Sequence, residues 1–351
     1  DGLLDYDQIA QLADQLHQVV QTGRRVALVS SGAVGAGMGR LGMTRRPIGL
    51  AQLQAVAAIG QSSLVEAYER ALRAHGHHAA QILVTAEDLE DRVRYLNARN
   101  TLSALMDLGA IPIINENDTL SVEELRTTFG DNDRLAAIVT NLIRAPLLVL
   151  LSDVEGLYNG APTEPGAELI STVTRLDDSV YCLVRDKAGG LSKGGMASKL
   201  EAARLATTAG ENVIIASGRM PGVLPKILAG ETVGTLFLAQ GQTVAARKRW
   251  IGFTVQPRGH LVVDDGARRA VESGGRSLLP IGVVEAVGPF DKGDVIALRD
   301  AGRIEFARGL TNYSSAEIER IKGLRTAEIA NVLGCHPYDE IIHRDNMVVT
   351  R

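Results

Sequence analysis

Cysteine is nearly absent. Cys182 and Cys335 are the only two among 351 residues, and they lie far apart with no Cys-x-x-Cys spacing, so both read as unpaired thiols in a reducing compartment. Long apolar runs are missing too. Although 45% of the residues are apolar, no 18-residue run is both uncharged and apolar throughout, and no membrane span is predicted. Charge of one sign is not in excess, and a formal net charge of -4 gives no reason to expect a polyanion as partner. The start carries no basic segment followed by an apolar one, so export is not predicted and the cytoplasm is the expected location. No internal repeat, low-complexity tract or heptad run is present.

What is present is an alternation of helical periodicity with short apolar runs. Ile9, Leu12, Ala13, Leu16, Val19 and Val20 fall at helical spacing, and Gly23 follows as a stop. "RVALVSS" (25–31), "QILVT" (81–85), "IPIIN" (111–115), "PLLVLLS" (146–152) and "NVIIA" (212–216) are short and aliphatic, with helix-like segments between them. That order predicts an α/β fold, an open and mainly parallel sheet sandwiched by helices. From about Gln240 the pattern changes. "AQGQTVAARKRW" reads as a connector, and short strand-like pieces separated by Gly and Asp turns follow it. A chain of this length exceeds one ordinary core, and the division expected is 1–240 for the α/β domain, 241–249 for a linker and 250–351 for a small, mostly β domain.

In open α/β sheets ligands bind beyond the carboxyl ends of the strands, so the polar residues at those tips are the candidates. "SSGAVGAG" (30–37) follows a strand and opens a helix. Its small residues let backbone N–H groups approach an anion, or they serve only close packing. "AGGLSKGGMASKLEAA" (188–203) offers a glycine loop and then Ser198 and Lys199 in the first turns of a helix. Backbone donors with one ammonium suit a nucleotide phosphate, the alternative being a surface loop. "INEND" and "FGDNDR" concentrate Asn115, Glu116, Asn117, Asp118, Asp131, Asn132 and Asp133 within 19 positions. One helix cap needs one such residue, not seven. "HGHH" (75–78) has no nearby Cys or carboxylate ligand set in sequence and reads as a solvated turn, so no metal site is predicted. No histidine stands at a strand tip, which disfavours chemistry requiring a base near pH 7. Phosphoryl transfer to a carboxylate needs no base, because a group of pKa about 4 is already ionised at pH 7; it needs positioning, cations and fixed donors.

"VSSGAVGAG", "NARNTLSAL", "IPIINENDT", "FGDNDRLAA", "LLSDVEGLY", "GGMASKLEAA" and "GTLF", in this order and spacing, resemble the glutamate 5-kinases of the amino-acid kinase family. The segment from about Arg249 resembles the PUA module that many microbial members carry. The resemblance implies ATP-dependent phosphorylation of the side-chain carboxylate of L-glutamate, the first step of proline biosynthesis, with Mg2+ bridging the phosphates. It assigns Ser31, Asp118, Asp131 and Asn132 to glutamate, with Asp133 beside them, and Ser152 and Asp153 to ATP. The loop residues Lys193, Gly194, Gly195, Met196, Ala197, Ser198 and Lys199 fall on the ATP phosphates, with Lys199 and Asp133 in catalytic roles. L-proline as feedback inhibitor, the segment 121–133 as its place of action, and a homo-oligomer (dimer or tetramer) are implied as well.

Two departures stand out. Lys193 replaces the threonine usual before Gly-Gly-Met, which removes a hydroxyl. Family members also begin with a strand reading roughly Val-Lys-Leu-Gly-Ser, whose lysine and glycine face the phosphates, and this sequence starts after it at Asp1; the first strand is expected to be missing. A PUA module often binds RNA, but 13 Lys/Arg stand against 14 Asp/Glu in 250–351, which is no basic footprint. RNA binding or modification, and a sibling kinase with another carboxylate or carbamate acceptor, are the rival readings.

Overall fold

The computed structural model describes residues 4–120, 131–161, 164, 166–184, 195–240, 246–334 and 338–350. Helix α1 (Tyr6–Gln21) forms where the apolar spacing predicts it. Asp5 caps it by accepting from the Gln8 amide at 2.9 Å, and Ile9, Ala13 and Leu16 are buried along one stripe. Strand β1 (Leu28–Val29) leads into α2 (Ala33–Arg40) and the long α3 (Leu50–Arg73); β2 (Ala79–Val84), α4 (Ala86–Glu90), α5 (Arg92–Asp107) and β3 (Ile111–Glu116) follow. β3 is the centre of a three-stranded parallel sheet, with Leu28 opposite Ile113 and Val84 opposite Glu116. Every residue from 111 to 115 is buried, as a parallel strand covered on both faces requires.

The next elements are α6 (Asp131–Ile143), β4 (Leu147–Ser152), β5 (Thr172–Val173), α7 (Asp178–Cys182), α8 (Gly195–Ala209), β6 (Asn212–Ser217), α9 (Val223–Leu228) and β7 (Thr235–Phe237). They build a four-stranded sheet in the order β4-β6-β7-β5. β4 and β6 run parallel with Ser152 opposite Ser217, and β7 runs antiparallel to β6. Ala137, Leu200, Ala203 and Ala206 from α6 and α8 pack on Val213 and Ile215, while Val223 and Ile227 of α9 form a cluster with Ala216. Within the "GTLF" motif, the Thr235 hydroxyl donates to the Ile170 carbonyl at 2.6 Å and accepts from the Leu157 amide at 2.8 Å. This threonine ties two loops to the sheet.

The strand expected over 25–31 pairs only at Leu28 and Val29. Among the described residues β1 pairs with β3 alone and β4 with β6 alone. The remaining edges of both line a cavity of about 1180 Å³ whose wall includes Val26, Leu28, Leu147, Val149 and Leu151. β2 and β4 are also paired on one edge only and run six residues each, so the shortness of β1 does not follow from one-sided pairing.

The chain divides into the units Asp1–Gly241 and Gln242–Arg351. The second contains α10 (Ala246–Arg249), a π-helical turn Trp250–Thr254, β8 (Gly259–Val263), α11 (Asp265–Glu272), β9 (Val283–Val287), β10 (Val295–Arg299), β11 (Glu305–Leu310), α12 (Ser315–Ile321), α13 (Ile329–Leu333) and β12 (Met347–Val349). Its five strands are ordered β12-β11-β10-β8-β9 around Leu261, Ile296, Leu298, Phe306 and Ile342. The stretch read as a connector is helical from Ala246 onward, Arg249 is buried, and Arg308 donates to the carbonyls of Gly252 and Val255 at 3.1 and 3.2 Å. Among the described residues, no helix is long and apolar enough to cross a membrane.

Glycine decides how α2 meets α3. A Cβ on Gly60 would lie 1.8 Å from the Ala33 carbonyl oxygen, and one on Gly37 would lie 1.9 Å from that of Val56. The glycines of "SSGAVGAG" thus serve close helix packing at Gly37. Because no side chain can yield there, Gly60→Ala is expected to cost about 1–3 kcal/mol or more. Thermal unfolding measures it, and an unchanged midpoint would mean that the two helices do not pack this tightly.

Candidate active site

Two helix beginnings meet at one ion pair. Asp133 is in the first turn of α6 and Lys199 in the second turn of α8, two helices that pack together. Lys199 Nζ donates to Asp133 Oδ2 at 3.0 Å, with the side chains 13% and 19% exposed. A Cβ on Gly195 would stand 3.7 Å from this ammonium, so the start of α8 lies against it. Met196, Ala197 and Ser198 are half-buried in the same turns. Lys193 and Gly194 lie outside the described residues, as do the Asp131 side chain and residues 121–130.

Asn132, next to Asp133, has both amide atoms buried without a hydrogen-bond partner. Leaving such a group unsatisfied costs about 1–3 kcal/mol, and a ligand that supplies a donor and an acceptor would recover that cost. Asn132, Asp133 and Ser31 all line the 1180 Å³ cavity, together with Arg99, Asn100 and Ser103 of α5. Those three belong to "NARNTLSAL" and were not singled out individually in sequence. Beside Ser31, the Ser30 amide donates to the Ile114 carbonyl at 3.0 Å and its side chain bonds the buried Tyr68 hydroxyl. At the tip of β4 the Ser152 hydroxyl donates to Asp153 Oδ1 at 3.1 Å, and the Gly218 amide donates to the Ser152 carbonyl at 2.8 Å.

Asp118 stands elsewhere, in a pocket of about 220 Å³ that it shares with Glu116, Asn117 and Gln61. Burial, reinforced by the Glu116 carboxylate and only partly offset by Arg46, pushes its carboxyl up to about 6. Behind it, Asn115 donates from Nδ2 to Gln61 Oε1 at 2.8 Å and accepts at Oδ1 from the Glu116 amide at 2.9 Å. Sequence reading passed over Gln61. The available signal was a polar residue inside the buried stripe Leu53, Val56, Ala57, Gly60 and Leu64 of α3.

The histidine turn packs against α1. His75 Nε2 meets Asp14 Oδ1 at 2.7 Å, His17 Nδ1 meets His77 Nε2 at 3.1 Å, and the His17 and His75 rings stack at 4.7 Å. Burial, with His17 and His75 beside it, lowers the His77 pKa. Among the described residues no three His, Cys, Asp or Glu side chains converge to hold a metal ion.

The Asp118 environment has a measurable consequence for stability. Its pKa of about 6 in the fold lies above the unfolded value of 3.8, so the native state binds that proton more tightly. The corresponding stability is present in acid and is lost as pH rises through about 6. Asp118→Asn is therefore expected to stabilise the protein at pH 8, on the order of 2–3 kcal/mol, with the gain vanishing below about pH 4. Denaturant unfolding at both pH values measures it; a difference that does not change with pH contradicts the buried, disfavoured carboxylate.

The amino acid kinase family profile matches residues 3–217, and that of the PUA domain matches residues 259–333. A glutamate 5-kinase of Rhodopirellula baltica is 47% identical over 349 residues, covering 99% of this chain and 90% of that protein. One from Syntrophotalea carbinolica is 48% identical, covering 100% and 94%, and one from Azoarcus sp. is 49% identical, covering 99% and 93%. The chain belongs to the amino acid kinase family, is similar over nearly its whole length to members named glutamate 5-kinase, and carries a PUA domain after its kinase domain.

Proposed function

We propose that this chain transfers the γ-phosphoryl group of ATP to the side-chain carboxylate of L-glutamate, giving L-glutamyl 5-phosphate and ADP, the reaction that opens proline biosynthesis. The observation that carries this reading is the Lys199–Asp133 pair at 3.0 Å, with the partnerless amide of Asn132 one residue before Asp133 in the first turn of α6. A fixed cation and an adaptable amide suit an anionic group in transfer.

The acceptor carboxylate is ionised at neutral pH and attacks without a base. Catalysis then rests on alignment and on charge. Lys199 meets the negative charge of the moving phosphoryl group, and Asp133 holds the lysine in place. Asn132 and Ser31, on the larger cavity, and Asp118, in the smaller pocket, hold different parts of glutamate, with the ionised Asp118 accepting from its ammonium group. The family resemblance adds Asp131 to the glutamate residues. Ser152 and Asp153 at the tip of β4, with 195–199 at the start of α8, hold ATP, and the family resemblance adds Lys193 and Gly194. Mg2+ takes few protein ligands when phosphates supply oxygens, so ATP itself would hold it, with the exposed Asp153 a carboxylate able to join them. The ion would offset charge on the phosphate oxygens.

The open edges of β1 and β4 suit one further extended segment of the kinase fold, and the family resemblance gives that segment a lysine facing the phosphates. From the same resemblance we take L-proline as a competitor at the glutamate pocket and a homo-oligomer as the working form.

Lys199→Ala is expected to lower kcat about a hundredfold or more, on the order of 3 kcal/mol, while the KM for ATP and glutamate changes modestly. Lys199→Arg should recover little, because a planar fork does not replace a compact charge. Asn132→Ala should raise the KM for glutamate about tenfold or more. Steady-state kinetics on the full-length enzyme measure all three, and a Lys199→Ala enzyme with near-normal kcat and weak ATP binding would make Lys199 an anchor for the nucleotide instead.

A further inference from the structure

Gln61 lies where an apolar residue is expected. It is 7% exposed, midway along α3, on the stripe that buries Ala57 and Leu64. A desolvated amide there is costly unless all its groups are satisfied. Half of it is: Oε1 accepts from Asn115 Nδ2 at 2.8 Å. Nε2 is buried and has no partner.

The orientation of this amide is fixed by its neighbours. Asn115 Oδ1 accepts the Glu116 amide at 2.9 Å, and only an oxygen can do so. That fixes Asn115 with its nitrogen toward Gln61, which in turn requires the oxygen of Gln61 to face Asn115. Flipping either amide would set donor against donor or acceptor against acceptor. The two N–H bonds of Gln61 Nε2 are therefore left over, on a residue that lines the 220 Å³ pocket together with Asp118 and Glu116. A rigid donor and carboxylate acceptors in one small pocket form a complementary set for a zwitterion.

We propose that Gln61 is a specificity-determining residue of the glutamate site, its Nε2 donating to the α-carboxylate of the amino acid. This rests on the reading above that Asp118 takes the ammonium group of the same α-carbon. The α-carboxylate occupies the free donor, and ligands that lack it leave the buried amide unsatisfied. Gln61 thereby distinguishes α-amino acids from plain amines bearing a distal carboxylate. Its contribution belongs to binding, because the α-carboxylate carries no changing charge as the phosphoryl group moves.

The test compares L-glutamate with 4-aminobutyrate, which keeps the ammonium and the distal carboxylate but lacks the α-carboxylate. In Gln61→Met, of similar shape and without a donor, the KM for glutamate should rise tenfold or more. The inhibition constant of 4-aminobutyrate, kcat and the KM for ATP should all stay within threefold. Gln61→Glu keeps an oxygen for Asn115 and so preserves the support of β3; it should show the same split, with a larger loss for glutamate because two carboxylates then oppose each other. The proposal is overturned if the glutamate KM stays within threefold in both variants, or if both ligands weaken together, which would make Gln61 a support for the pocket wall. Asp118→Asn tests the underlying reading separately: that reading predicts that glutamate and 4-aminobutyrate both weaken, and it fails if neither does, whatever Gln61 shows.

Discussion

The contact on which the site depends is the ion pair between Asp133 and Lys199. It joins the first turn of α6 to the second turn of α8, the two helices that cover the sheet containing β4 and β6. At 3.0 Å and an effective dielectric constant of about 20, the gross attraction is roughly 5 kcal/mol, much of it offset by taking both groups out of water. The pair is therefore no large source of stability. Its effect is directional, since it holds an ammonium against the glycine at the start of α8. A charge fixed before the reaction needs no reorganisation during it.

In its two pockets the protein retains polar groups that it does not satisfy itself. Asn132 has both amide atoms idle, Gln61 has an idle nitrogen, and Asp118 carries a carboxyl raised to about 6. Each is an energetic cost in the free protein, and a zwitterionic ligand can relieve all three. The surrounding packing makes such costs tolerable. Gly60 against Ala33 and Gly37 against Val56 lock α2 onto α3, and the buried strand β3 holds Asn115 behind the pocket.

Much of this was legible in the sequence because it is periodic or local. The stripe of α1, the apolar run 111–115 and the crowding of Asp and Asn around "INEND" and "FGDNDR" follow from side-chain direction and solvation alone. Distant pairings were not legible. Nothing in the spacing joins Lys199 to Asp133 across 66 positions, His17 to His77 across 60, or Gln61 to Asn115 across 54. The short β1 escaped notice because an apolar run predicts a strand but says nothing of how far its ladder extends. In the Gly-Ala turn, packing and ligand approach demand the same small residues, so composition could not separate them. Coordinates do so at Gly37, in favour of packing.

A double-mutant cycle on the ion pair bears most directly on this account. Asp133→Asn, Lys199→Met and the double variant would be compared by kcat at saturating ATP and glutamate. If Asp133 acts by holding Lys199, the double variant loses no more than about threefold beyond Lys199→Met alone, because the carboxylate has nothing left to position. Losses that multiply, with the double variant as slow as the product of the two single effects, would show that the two residues act independently and that the 3.0 Å contact does not organise the site.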